Sequence, residues 1–149
     1  MKFKNLFSVF IQDTVHKRKK LTKKQCEEWL YLVAKNKSKI TLRIVDENES
    51  KRLNKQFRNN NKATDILSFP FDKKKKFSKK SYIGDIIISY NFINKPKSQN
   101  LKIFKQKLVK TFIHGFLHLL GFDHIKNSDY IKMIREERQI YKSVILKIK

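Results

Sequence analysis

The sequence predicts an α+β or mixed α/β fold, on three observations. Short apolar or alternating runs with strand periodicity are interleaved with longer stretches of helical periodicity. One run, residues 83–89 (IGDIIIS), is apolar enough to lie in the middle of a sheet. Residues 100–120 read as a long amphipathic helix that becomes apolar all round near its end, as a buried central helix does. With 149 residues, no Gly/Ser/Pro-rich linker and no internal repeat, residues 1–149 read as one domain, large enough to bury a real core.

Residues 4–11 read as a first strand. The segment 21–36 reads as a helix, with Thr22 as N-cap and an apolar stripe of Cys26, Trp29, Leu30 and Val33. Residues 40–45 form a second strand, and 46–58 a second helix with Leu53 and Phe57 spaced i, i+4. Residues 66–69 and 83–89 supply two more strands, with Pro70 expected to end regular pairing. A closing helix covers 129–147, with Asn127 and Ser128 as capping candidates. Strand order is not legible from such a pattern.

Three of the four histidines fall in HGFLHLLGFDH, from His114 to His124. At i and i+4 on a helix, His114 and His118 project from one face and can chelate one ion. Gly121 can then end the helix in a left-handed conformation and let the chain swing His124 back as third ligand. Three neutral imidazoles leave one tetrahedral position for water, the arrangement of a catalytic zinc site, so the segment predicts one Zn²⁺ per chain. Packing histidines on a core helix are the alternative, given Phe112, Ile113, Phe116, Leu117, Leu119 and Leu120 around them. The fourth, His16, reads as a loop residue.

The spacing H-x-x-x-H-x-x-G-x-x-H is that of metzincin proteases, in which glutamate follows the first histidine as general base. Here Gly115 holds that place and cannot take a proton, so ordinary peptidase activity is disfavoured. With the glycine, the segment resembles the signature of the YbeY family of bacterial metal-dependent endoribonucleases. Two further blocks agree. LNKQFRNNNKATDILSFPF, from Leu53, resembles the family's arginine-containing helix end followed by a T-D-[IV]-L-S-F-P strand, and IGDIIIS resembles its G-D strand. The three blocks stand in the family's order and cover roughly residue 40 to the last helix.

The resemblance implies a small mixed, mostly parallel sheet with surrounding helices and a metzincin-like zinc helix. It implies a hydrolase, a zinc-dependent single-strand-specific endoribonuclease acting in 16S ribosomal RNA 3′-end maturation and ribosome quality control, with ribosomal RNA and the small ribosomal subunit as partners. His114, His118 and His124 are the implied metal ligands, with His114 and Arg58 as catalytic residues. An arginine there suits phosphate, since its planar fork binds phosphate oxygens bidentately and stays charged. Two other classes stay open: a peptidase-like zinc hydrolase, or a ribosome-associated RNA-binding protein whose zinc is structural.

Asp65, Asp85 and Asp123 are candidates for orienting a ligand imidazole, with capping or turn roles as the alternative for each. Ser68 is a candidate for a substrate-binding edge. The run Lys73, Lys74, Lys75, Lys76, Phe77, Ser78, Lys79, Lys80 reads as a basic loop able to follow an RNA backbone, with Phe77 available for stacking. Lys17 to Lys20 form a second basic cluster. The net charge of +23 favours any polyanion, although richness in Lys, Asn, Ile and Phe is also what an AT-rich genome produces. The single Cys26 excludes an intramolecular disulfide and suits a reducing compartment. The N-terminal apolar run is short, interrupted by Gln12 and Asp13, and lacks a small-residue cleavage site, so it reads as a strand rather than a signal peptide. No membrane span is expected, and the expected location is the cytoplasm.

Overall fold

The computed structural model describes residues 7–15, 22–33, 38–71, 82–122 and 126–145. Strand β1 (Phe7–Asp13) begins the described chain, helix α1 (Lys23–Val33) follows, and then come β2 (Ser38–Val45), α2 (Glu47–Arg58), β3 (Ile66–Pro70) and β4 (Tyr82–Ser89). A single helical turn, α3 (Tyr90–Ile93), precedes α4 (Leu101–Leu119) and α5 (Asn127–Ile145).

One four-stranded sheet has the order β1-β2-β4-β3. The pairs β1–β2 and β2–β4 are parallel and β3–β4 is antiparallel, so the sheet is mixed with β3 as an edge. β4 lies inside the sheet, where its apolar sequence put it: Ile86 and Ile88 are fully buried beside Leu42 and Ile44 of β2. Cys26, Trp29 and Leu30 of α1 are buried as the predicted stripe requires, while the side chain of Val33 lies outside the described ones. Trp29 packs edge-on against Phe112 of α4 (5.4 Å between ring centres), and Phe112 against Phe116 (5.3 Å). Burial pushes the Cys26 thiol up, which keeps it inert. Among the described residues no helix is long and apolar enough to cross a membrane.

Helix ends follow local chemistry. Thr22 Oγ1 accepts from Gln25 N (3.1 Å) while Gln25 Oε1 accepts from Thr22 N (3.2 Å), a reciprocal capping box. Asp46 caps α2 by accepting from Glu49 N (2.8 Å), and Asn100 caps α4 by accepting from Ile103 N (2.9 Å).

Some boundaries differ from expectation. β1 runs on through Gln12 and Asp13, because Arg43 and Ile44 of β2 extend the parallel register opposite them; residues 4–6 lie outside the described set. α5 starts at Asn127, since Tyr130 N already bonds Lys126 O (2.9 Å); Asn127 and Ser128 are first-turn residues rather than caps. Pro70 does not end the pairing: it lies opposite Gly84, and Phe71 N donates to Ile83 O (3.0 Å). An edge strand tolerates proline because one side of its backbone has no strand to bond. The turn α3 had no periodic signal, being only four residues long.

Candidate functional site

α4 carries His114 and His118 one turn apart, and the helix stops just beyond them. Gly121 adopts φ +99°, Gly121 N bonds His118 O (3.1 Å) and Phe122 N bonds Leu117 O (3.0 Å), the paired bonds of a Schellman end. That stop has a second use. It brings the Phe122 carbonyl to His118 Nδ1 (3.0 Å), and a carbonyl can only accept, so the proton resides on Nδ1. His114 Nδ1 meets a carboxylate oxygen of Glu137 from α5. With both Nδ1 atoms committed, the two Nε2 atoms face each other 3.1 Å apart.

Neutral imidazoles with their protons on Nδ1 and their Nε2 atoms so placed suit a shared cation. The tetrahedral edge for Zn–N bonds of about 2.1 Å is about 3.4 Å, and a ligand histidine commonly gives its other ring N–H to a carboxylate or a backbone carbonyl. Both partner types occur here, so the two described imidazoles suit zinc, although no group of three metal-ligating side chains occurs among the described residues. His124 and Asp123 lie outside the described residues.

A cleft of about 800 Å³ opens over these rings, lined also by Arg58, Asp65, Ser68, Pro70 and Phe122. Arg58 is the last residue of α2. The left-handed Asn59 (φ 56°) ends that helix, with Asn59 N bonding Lys55 O (3.1 Å) and Asn60 N bonding Asn54 O (3.2 Å). Two buried polar side chains, Ser50 and Asn54, tie the next loop back onto the helix. Ser50 Oγ donates to Thr64 O (2.8 Å) and accepts from Thr64 N (3.0 Å); Asn54 Nδ2 donates to Lys62 O (2.8 Å). The loop therefore delivers β3 alongside Arg58, whose Nη2 donates to Ser68 O (2.8 Å) and whose guanidinium lies 5.1 Å from the centre of the Phe69 ring.

β3 also touches the histidine helix. Ser68 Oγ donates to Gly115 O (3.1 Å), so Ser68 links Arg58 on one side to α4 on the other. Gly115 is where the strand crosses: a Cβ there would stand 2.3 Å from Ile66 Cδ1 and 2.9 Å from Ser68 Oγ. The glycine that removes the peptidase base thus has a packing reason, since any side chain there requires Ile66 and Ser68 to shift.

Of the described aspartates, Asp65 takes the turn role given as its alternative and Asp85 meets a hydroxyl. Asp85 on β4 receives the Tyr82 hydroxyl, which also contacts Thr41 Oγ1 (2.7 Å). Burial, helped by Asp85, pushes that hydroxyl up to about 12. Asp65 borders the cleft, but its carboxylate accepts from Ile66 N (2.8 Å) and Thr64 Oγ1 (3.2 Å), the turn role. The carboxylate that meets an imidazole is Glu137, which sequence reasoning missed. Its signal was a charge on the apolar stripe Met133, Ile140 and Val144 of α5. Lys73 to Lys80 with Phe77, the cluster Lys17 to Lys20 and His16 lie outside the described residues.

Residues 9–145 match the family model for Endoribonuclease YbeY. The chain is 56% identical over 112 residues to the Endoribonuclease YbeY of Pelagibacter ubique, covering 75% of this chain and 73% of that one. It is 41% identical over 128 residues to that of Buchnera aphidicola from Acyrthosiphon pisum, covering 85% and 81%. The solution structure of TM1509 from Thermotoga maritima superposes with a TM-score of 0.60 at 25% identity, covering 91% of this chain and 88% of that one.

Proposed function

The chain belongs to the Endoribonuclease YbeY family, and from that premise we propose that it is a zinc-dependent endoribonuclease. His114, His118 and His124 would hold the metal. Zinc bound there supplies Lewis acidity toward a phosphoryl oxygen and lowers the pKa of water. The single observation that carries the reading is the pair of Nε2 atoms facing each other at 3.1 Å in a cleft that also holds Arg58.

The chain's own groups divide the work. Glu137 and the Phe122 carbonyl hold the imidazole protons on Nδ1, leaving both Nε2 lone pairs toward the cleft. Arg58 spends one N–H on Ser68 O and keeps donors for phosphate oxygens, where its fixed charge stabilises the anion developing during cleavage. Ser68 and Phe69 keep that guanidinium in place. The +23 charge draws a polyanion toward the protein. The substrate of this reading is single-stranded RNA near the 3′ end of 16S ribosomal RNA, met on or near the small subunit in the cytoplasm.

The test is cleavage of single-stranded ribosomal RNA by purified protein of known zinc content, with and without ribosomes. Cleavage that tracks zinc and is lost in folded His118→Ala supports the reading. Inactivity of zinc-loaded, folded wild type with ribosomes present would sink it in favour of a binding protein.

A further inference from the structure

We infer that Glu137 is the positioning residue for His114, so that metal binding at the histidines is coupled to the docking of α5 on α4; this rests on the zinc reading above but not on RNA cleavage. Glu137 lies in the middle of α5, 23 residues from His114 in sequence, and its side chain is only 17% exposed. The two residues that share its face, Met133 and Ile140, are buried in the core with α4, so packing fixes where the carboxylate stands.

The two imidazoles are thus held by unlike devices. His118 gives its Nδ1 proton to a neutral carbonyl four residues on, part of its own helix end. His114 relies on a carboxylate from another helix, which fixes the ring with Nε2 toward the cleft. If α5 moves away, His114 loses its orienting partner while His118 keeps its own. Metal then binds the docked arrangement more tightly and, by reciprocity, favours docking.

The experiment uses the full chain without RNA. Zinc affinity is measured by chelator competition, ligand geometry by the absorption spectrum of bound Co²⁺, and α5 docking by amide exchange with and without zinc. The variants are Glu137→Ala, Glu137→Gln and the neighbouring control Glu136→Gln. Glu137→Ala is expected to bind zinc about 10–100-fold more weakly, with an altered Co²⁺ spectrum. Zinc slows exchange across α5 in wild type and not in that variant. Glu137→Gln, which keeps an oxygen acceptor, recovers part of the affinity, and Glu136→Gln matches wild type. Zinc affinity within about twofold of wild type in folded Glu137→Ala overturns the inference. Should that variant not fold, Glu137→Gln decides: weaker binding than Glu136→Gln supports it, and equal binding overturns it. Wild type that fails to bind zinc removes the metal reading itself, an outcome distinct from the others.

Discussion

Two helix ends border the cleft, and they hold their functional side chains in opposite ways. α4 ends at a left-handed glycine and α2 at a left-handed asparagine, each just after the residue that matters. At the α4 end the side chains are half-buried, and both rings are tied through Nδ1. At the α2 end Arg58 is exposed, steadied by one backbone acceptor and one aromatic face. A metal site tolerates little displacement of its ligands, whereas a charge gripping phosphate works over a range of positions. On the proposed reading, the difference in anchoring follows the difference in task.

Substitutions at the two ends should therefore separate metal binding from phosphate binding. The largest effect is expected for His118→Ala: zinc affinity falls by more than the roughly 10–100-fold cost of losing an outer partner, and cleavage drops to background while the circular dichroism spectrum is kept. Arg58→Ala should lower cleavage about 10²–10³-fold, as loss of one charge-stabilising donor does, with zinc content unchanged; a parallel fall in zinc would erase the division between the ends. Arg58→Lys should recover little of that activity, since an ammonium lacks the planar fork.

Gly115→Glu tests what joins the two ends. It forces Ile66 and Ser68 aside at about 1–3 kcal/mol, set against the roughly 1 kcal/mol a helix gains on losing a glycine, so a melting experiment should show a net loss of up to about 2 kcal/mol. No peptidase activity should appear, and its appearance would show that β3 yields more easily than the contacts imply. The smallest effect is expected for Phe69→Leu. Loss of the face under Arg58 removes about 0.5–1 kcal/mol of attraction, read as a few-fold rise in the RNA concentration needed for half-maximal cleavage, with zinc affinity unaltered.

The histidine end was legible in the sequence because its determinants are local. The i, i+4 pair sets one face, and Gly121 three residues on sets the stop. Arg58 was legible as a helix-end residue through the blocks around it, but its grip on Ser68 O depends on where an edge strand lands, a tertiary fact. Ser50 and Asn54, which fix that strand's approach, look like ordinary polar helix residues until the loop folds back. Glu137 and Glu136 are adjacent, and only helix phase against Met133 and Ile140 says which one faces inward. Asp65, just before β3, and Asp85, within β4, are taken by backbone and hydroxyl donors that compete successfully for a carboxylate.

Ser68 gives the cleft a fixed gauge. Its carbonyl holds the arginine and its hydroxyl holds the histidine helix, so the spacing between the two ends is ruled by the register of β3 against β4. Sheet registers change in whole residues, and a slip of one would turn Ser68 to the other face. The backbone at the two ends therefore keeps one spacing, and adjustment to whatever enters falls to the exposed Arg58 side chain.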